Sequence, residues 1–326
     1  MSSKVIIVGG GISGLSAAYF LSKHGIHSVI VENSNRLGGL IKTDLVEGCR
    51  LEAGPDSYLA RKTGVTELAQ ELNGLSDQII GSNDAARRIF IVRNGKLVGM
   101  PKGMVMMVPA RLTPALRSEL FSFRTKLRFI REMASAPRHR NEDVSIEEFI
   151  RDHFGSELLD CLAEPLLSGV YGGAPRDLSA ESVLPRFLEY ERTHGSLIRG
   201  VRREPGSKLG ETSLFLSFRD GMQTLTDSLF QATSMHVEVV YGQATRVERA
   251  SSGWLVRVED QSLAADDVIL ACQAYAASQL LQSTEPSLSA KLDEIPYSSA
   301  ILVTLGYRRS TLPPLREGFG FLVPST

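Results

Sequence analysis

Short apolar runs and stretches with a helical period take turns along this chain. Residues 4–8 (Lys-Val-Ile-Ile-Val) are a β-branched apolar run, the mark of a buried strand. Residues 15–24 space Leu15, Ala18, Tyr19 and Leu21 as a helix lying on a sheet would. Ser28-Val29-Ile30-Val31 returns to strand, and Glu32 closes it. Val65, Leu68, Ala69 and Leu72 give 63–72 one apolar helical face. Over 88–100 two strands are predicted around Asn94-Gly95, a dipeptide suited to a tight hairpin. Ser145-Ile146-Glu147-Glu148 is a capping box opening a helix through His153. Helical patterning resumes over 156–167, ending at Gly169, and over 179–194, with the turn Tyr171-Gly172-Gly173-Ala174-Pro175 between.

Strand character comes back at 214–218, and Asp220-Gly221 leads into a helix over 222–231. Residues 237–240, 244–249 and 254–259 alternate and are expected to form a meander turned by Ser251-Ser252-Gly253. A further buried strand is predicted at 267–271, and 300–307 begins another sheet with 318–324 as its next strand. The strand–helix–strand opening, the helical middle and the later strands predict an α/β fold: a Rossmann-like domain with a mostly α-helical lobe inserted.

Between the first strand and the first helix stands Gly9-Gly10-Gly11-Ile12-Ser13-Gly14, with G-x-G-x-x-G spacing through Gly9, Gly11 and Gly14. The first glycine allows a tight turn, the second close approach to a pyrophosphate, and the third close helix–strand packing. The helix N-terminus offers free N–H groups and partial positive charge to phosphates. Glu32, 18 residues past Gly14, stands where a carboxylate accepts from ribose hydroxyls. After Asn33 come Arg36-Leu37-Gly38-Gly39-Leu40, which read either as a second approach to the dinucleotide or as a surface turn with a solvated Arg. Gly54-Pro55-Asp56-Ser57, taken alone, is a β-turn.

The 326 residues exceed one average domain, so two or three lobes with their own cores are expected. A net charge of −1 points to no nucleic-acid partner. Cys49, Cys161 and Cys272 lie far apart without metal-ligand spacing, which fits a reducing compartment and no bound metal; Cys161 and Cys272 sit in apolar runs and are expected in cores. The six histidines (His24, His27, His139, His153, His194, His236) are scattered in mostly polar surroundings and read as surface residues. No Ser-His-Asp or Cys-His set is evident, so no catalytic residue is assigned and the chemistry is expected to belong to a cofactor. Met1 leads into a strand without a signal-peptide pattern, and no run approaches the ~18 apolar residues of a membrane span. The expectation is a cytoplasmic protein, with attachment to a membrane surface left open.

One window changes this picture. Residues 101–140 carry nine Lys and Arg against Glu119 and Glu132, a local charge of +7. They also hold the Met-rich run 103–109 and Phe121, Phe123 and Phe129. Such a mixture suits an anionic membrane surface, steering of a multiply carboxylated substrate, or a solvated basic face.

The glycine run, Glu32-Asn33, Arg36-Leu37-Gly38-Gly39 and Gly54-Pro55-Asp56-Ser57 resemble the opening of the FAD-dependent amine oxidase superfamily. Residues 88–97, 164–173 and 318–324 narrow the resemblance to the oxygen-dependent protoporphyrinogen/coproporphyrinogen oxidases, and it covers the whole chain. The resemblance implies FAD held by Gly9, Gly10, Gly11, Ile12, Ser13, Gly14, Glu32, Asn33, Arg36, Gly39, Leu40, Gly54, Pro55, Asp56 and Ser57, with the backbone of Val247 at the adenine edge. It implies a tetrapyrrole substrate whose propionate pairs with Arg88, with Arg87 the alternative or both solvated, and whose ring packs on Leu322. The FAD-binding domain would then comprise 1–86 and 206–296, the substrate and helical lobe 87–205, and the start of an α+β substrate-binding domain 297–326.

The implied reaction is hydride transfer from a porphyrinogen to FAD, with molecular oxygen as final acceptor, in heme biosynthesis. A homodimer and peripheral contact with the inner face of the cell membrane are the further partners expected. Two features depart from the resemblance. Cys272-Gln273 stands where relatives commonly have Pro, and relatives run on well past Thr326, so part of the substrate sheet and a last Gly-rich turn against the flavin are expected to be missing. The competing readings are another flavin amine oxidase or carotenoid desaturase, and a flavin-free fragment or interaction protein.

Overall fold

In the computed structural model, which describes residues 4–83, 88–203, 213–313 and 318–325, the first apolar runs pair side by side in a parallel sheet. Its order is Val237–Tyr241, His27–Glu32, Lys4–Val8, Asp267–Leu270. The central strands are apolar over Val5–Val8 and Val29–Val31 because both faces are covered there. Val5 and Ile7 pack with Leu15, Ala18, Leu225 and Leu229 from the helices Ile12–Lys23 and Gln223–Thr233. Ile6, Val8, Val29 and Val31 face the other way, onto Val247, Val256 and Leu280. That second layer is an antiparallel meander of Ala244–Arg249, Trp254–Val258 and Gln261–Ala265, with the helix Ala274–Leu281.

Three expectations are corrected here. Val237–Tyr241 does not join the meander; it pairs in parallel with His27–Glu32, because a strand that follows a crossover helix returns to the parent sheet. The meander's third strand is Gln261–Ala265, which the alternation did not mark. The strand at 267–270 is half-buried rather than buried, as suits the edge of a sheet. Together the described residues within 1–82, 212–297 and 301–305 make one compact unit.

A second unit takes the described residues within 83–211, 298–300 and 306–326. The strands Ile89–Arg93 and Lys96–Gly99 form the hairpin, turned by Asn94 and Gly95 with φ of 49° and 72°. Gly320–Leu322 adds in parallel beside Ile89–Arg93. The helical part closes on Phe129, Phe149, Phe154 and Leu162, all fully buried, with edge-to-face ring pairs Phe121–Phe129 and Phe129–Phe154 at 5.2 and 5.8 Å.

Here the chain differs from its reading at five places. The helix after Ser156 passes through a π-turn at Leu159–Ala163 and Gly169 without stopping, and Glu164–Tyr171 ends at left-handed Gly172. The span 179–194 is two helices, Ala180–Val183 and Pro185–His194, because the proline ring drives Leu184 out of the helical region. Met107 and Val108 are fully buried, so much of the Met-rich run is core. His153 is buried between two glutamates instead of lying at the surface. Residues 300–307 form no strand, since no segment among the described residues pairs with them; Ile301 is 92% exposed.

Candidate functional site

All four parallel strands deliver their C-terminal ends to one cavity of about 890 Å³, lined entirely by the first unit. Val8 and Gly9, Val31 and Glu32, Gly242 and Gln243, and Ala271 and Cys272 mark where the strands enter it. Open α/β sheets bind ligands at this edge.

The floor is the glycine turn. Gly9 has φ of 111°, and a β-carbon there would stand 2.7 Å from the carbonyl oxygen of Ala271. A β-carbon on Gly14 would run into the carbonyl oxygen of Gly9, so the helix can sit this close to the strand only without a side chain. Gly11, Ile12 and Ser13 line the cavity, and Gly11 caps the helix without a side-chain bond, leaving the first-turn N–H groups available. Gly10 lies behind: its N–H donates to Glu32 Oε2 at 2.7 Å, and its carbonyl accepts from Gly38 N at 2.8 Å. Glu32 Oε1 accepts from Ser34 N at 2.7 Å. The carboxylate is therefore fixed in place, and each oxygen keeps a lone pair for a ligand hydroxyl.

Asn33, Gly39, Leu40 and Pro55 also line the cavity. Arg36 does not: its Nη1 donates to the carbonyls of Leu37 and Ile41 at 3.0 Å each, and its Nη2 to that of Gly39 at 2.5 Å. It braces the loop that carries Gly38 and Gly39. Gly54 packs behind Leu40, where a β-carbon would strike the Leu40 carbonyl. Asp56 accepts from Ser57 Oγ and, on its backbone carbonyl, from Ser217 Oγ, both at 2.7 Å; neither Asp56 nor Ser57 lines the cavity. Val247 is buried one layer back, its carbonyl taken by Thr284 Oγ1.

The wall that sequence reasoning missed comes from Gln243, Ala244, Thr245, Gln273, Gln279 and Tyr297. Assigning Val237–Tyr241 to the parallel sheet would have pointed to the first three, because its C-terminal end must then reach the same edge. Tyr297 is held by its hydroxyl accepting from Ala274 N at 2.8 Å and by its ring against Tyr275 at 5.2 Å. Burial pushes the Cys272 thiol up from its ordinary value, so it lines the cavity as a neutral group. Among the described residues, no Lys or Arg lines the cavity, and Glu32 is its single acid. A diphosphate bound here would depend on backbone N–H groups and the helix terminus.

In the second unit, Arg88 is exposed at the mouth of the hairpin, its carbonyl accepting from Phe319 N at 2.8 Å. Leu322 pairs with Ile91 in the same small sheet and is half-buried against the helical core. Arg87 lies outside the described residues. No group of three His, Cys, Asp or Glu suited to a metal occurs among the described residues.

The model of the family described as flavin containing amine oxidoreductase matches residues 12–325. The chain is 31% identical to the coproporphyrinogen III oxidase of Bacillus subtilis (strain 168) over 98% of its own length and 70% of that protein's. It is 32% identical to the protoporphyrinogen oxidase of Bos taurus over 100% of its length and 71% of that protein's. A crystal structure from Exiguobacterium sp. 255-15 superposes with a TM-score of 0.78 at 30% identity, covering 88% of this chain and 63% of that one. The chain thus spans about two thirds of the length of the proteins it matches.

Proposed function

The chain belongs to the family of flavin containing amine oxidoreductases, and from that premise we propose that it binds FAD in the cavity at the strand ends and serves the oxidation of a porphyrinogen to a porphyrin with oxygen as acceptor. The observation that supports the cofactor is the cavity's make-up. Its uncapped helix terminus, its glycine floor and a carboxylate locked by Gly10 and Ser34 suit the diphosphate and ribose of an adenine dinucleotide. The porphyrinogen reading is supported by the relatives named above, matched over nearly the whole of this chain.

FAD, when bound, supplies a two-electron acceptor whose electrons pass on to oxygen. The part of this chain is orientation. Backbone N–H groups of Gly11, Ile12 and Ser13 would hold the diphosphate, Glu32 the ribose hydroxyls, and Pro55 and Leu40 would shut out water. Arg88, as an exposed guanidinium, would pair with a propionate carboxylate, and Leu322 would offer an apolar contact for a ring. The purified chain should carry flavin absorbance in the visible and, in air, convert coproporphyrinogen or protoporphyrinogen to fluorescent porphyrin faster than the autoxidation blank. Colourless protein that takes up no added FAD would overturn the cofactor assignment. A yellow protein that releases peroxide with amines and not with porphyrinogens would overturn the substrate.

We also propose that the lobe touches an anionic membrane surface through the helix Phe123–Glu132. Phe123, Leu127 and Ile130 are exposed along one stripe, beside exposed Arg124, Arg128 and Arg131, while Phe129 faces inward. Glu157 fixes this helix by accepting from Ser122 Oγ, Thr125 Oγ1 and Arg93 Nη2, each at 2.5 Å. Burial opposes ionisation of Glu157, and these donors outweigh it, holding the carboxyl at about 2. Among the described residues no helix is long and apolar enough to cross a membrane, so the contact would be peripheral. At physiological salt the chain should co-sediment with phosphatidylglycerol vesicles and not with phosphatidylcholine ones. Replacing Phe123 and Leu127 with Asp should abolish binding, and no sedimentation of the unaltered chain would end the idea.

A further inference from the structure

Behind the helical lobe's aromatic core lies a polar cluster that the proposed function does not use. Glu132 ends the helix Phe123–Glu132, His153 belongs to Ile146–Phe154, and Glu191 to Pro185–His194. All three side chains are more than nine-tenths buried. His153 Nδ1 stands 3.2 Å from Glu132 Oε1, and Nε2 stands 3.2 Å from Glu191 Oε1. A carboxylate only accepts, so both ring nitrogens face acceptors, and a neutral imidazole can donate from only one of them.

The other groups around the site complete the charge balance. Arg140, from the segment before Ile146–Phe154, donates Nε to Glu191 Oε2 and Nη2 to Glu191 Oε1, both at 2.9 Å. Its Nη2 also reaches Asp152 Oδ2 at 2.9 Å, and Arg138 Nη1 meets the same oxygen at 3.2 Å. Ser196 Oγ and Leu197 N, at the start of Leu197–Arg203, donate to Glu132 at 2.7 and 2.5 Å. Arg199 turns away, onto the carbonyls of Ser135 and His194. The rings of Phe149 and Phe154 pack against the imidazole at 5.1 and 6.0 Å, excluding water. Two buried carboxylates thus have Arg140 for one positive charge, and His153 is the group placed to supply the second.

We infer that His153 is a protonation-dependent clamp: as imidazolium it ties Glu132 to Glu191 and joins three helices of the lobe, and loss of its proton as pH rises loosens them. Burial pushes the His153 pKa down, but its bonds to Glu132 and Glu191 and their charges outweigh this and leave it raised above the ordinary value. Burial likewise opposes ionisation of Glu191, and His153 and Arg140 overcome it, holding that carboxyl at about 2. A group whose pKa is higher folded than unfolded gives stability that is full below the unfolded value, ~6.5 for histidine, and that is lost as pH climbs through the folded value. On the acid side the contribution of Glu191 is lost only as pH falls toward about 2, where its carboxyl takes a proton.

Nitrogen NMR of the whole chain, labelled at histidine, tests this. At pH 7.5 the His153 signal should show both ring nitrogens protonated, with a titration midpoint above that of a free histidine. The melting temperature of the unaltered chain should fall by several degrees between pH 7 and pH 9.5, and His153→Gln should remove most of that slope. Should His153→Gln not fold, a chain in which the other five histidines are replaced by Gln leaves the His153 signal alone in the spectrum. A neutral His153 at pH 7.5, with any shared proton on a glutamate instead, would overturn the inference. So would a melting slope unchanged in His153→Gln.

Discussion

Alanine at Gly14 should unseat the first helix and weaken FAD binding by tenfold or more. In an open helix the change is favourable, since Ala exceeds Gly in helix propensity by about 1 kcal/mol. Here the new β-carbon would strike the carbonyl oxygen of Gly9 and stand 3.1 Å from its carbon and 3.2 Å from Ile7 Cγ2. Two of these neighbours are backbone atoms of the turn that forms the cavity floor, and they cannot rotate away. Overpacking of this kind costs about 1–3 kcal/mol, which exceeds the propensity gain. The helix must lift from the strand, carrying with it the N–H groups of Ile12 and Ser13 that would face the diphosphate. A displacement worth 1.4 kcal/mol in binding is already about tenfold in affinity. Gly169→Ala is the internal control: it too lies within a helix, Glu164–Tyr171, but its β-carbon meets nothing within 4 Å. That variant should melt at or slightly above the unaltered chain and bind FAD equally. Gly14→Ala binding FAD as tightly as the parent, in a flavin fluorescence titration, would remove the glycine turn from the site.

How much of this was legible beforehand depended on whether the signal was local. The glycine turn is written in one continuous stretch, so Gly9 to Gly14, Glu32 and the flanking strands could be read without knowing the fold. Asn94-Gly95 and the Ser145 capping box were legible for the same reason: each specifies its own turn or cap, and Ser145 Oγ does accept from Glu148 N at 3.1 Å. What escaped was non-local. Alternation makes 237–240 a strand but says nothing about its partner, and the partner decided that Gln243 and Thr245 reach the cavity. Arg36 has the chemistry to grip phosphate, yet three carbonyls of its own loop claim its guanidinium, a competition invisible in a motif. His153 sits in a polar stretch of sequence, and only the meeting of helices from around 132, 153 and 191 makes it a core residue.

The same meeting of helices sets the second large effect. Glu132→Ala should destabilise the lobe by about 3–5 kcal/mol, the range for breaking a buried ion pair by removing one partner. The carboxylate accepts from Ser196 Oγ, Leu197 N and His153, and alanine would leave all three without their acceptor in a site water does not reach. At about 2–4 °C per kcal/mol for a unit of this size, the melting transition should drop by roughly 10 °C. The charge balance predicts more than a bare loss. With Glu132 gone, Glu191 is already neutralised by Arg140, and His153 loses half the field that kept its proton. The variant should therefore shed most of the parent's alkaline slope, starting from a lower plateau. Glu132→Gln keeps the shape and one acceptor oxygen, so its loss should be smaller, while its slope should flatten almost as much because the charge is absent. Glu147→Ala calibrates both: Glu147 pairs with Arg151 at 2.7 Å on the exposed side of the same lobe, where such a pair is worth about 0–1 kcal/mol. If Glu132→Ala and Glu147→Ala melted within a degree of each other, the buried cluster would be no more than a solvated pair, and neither the large loss nor the clamp would stand.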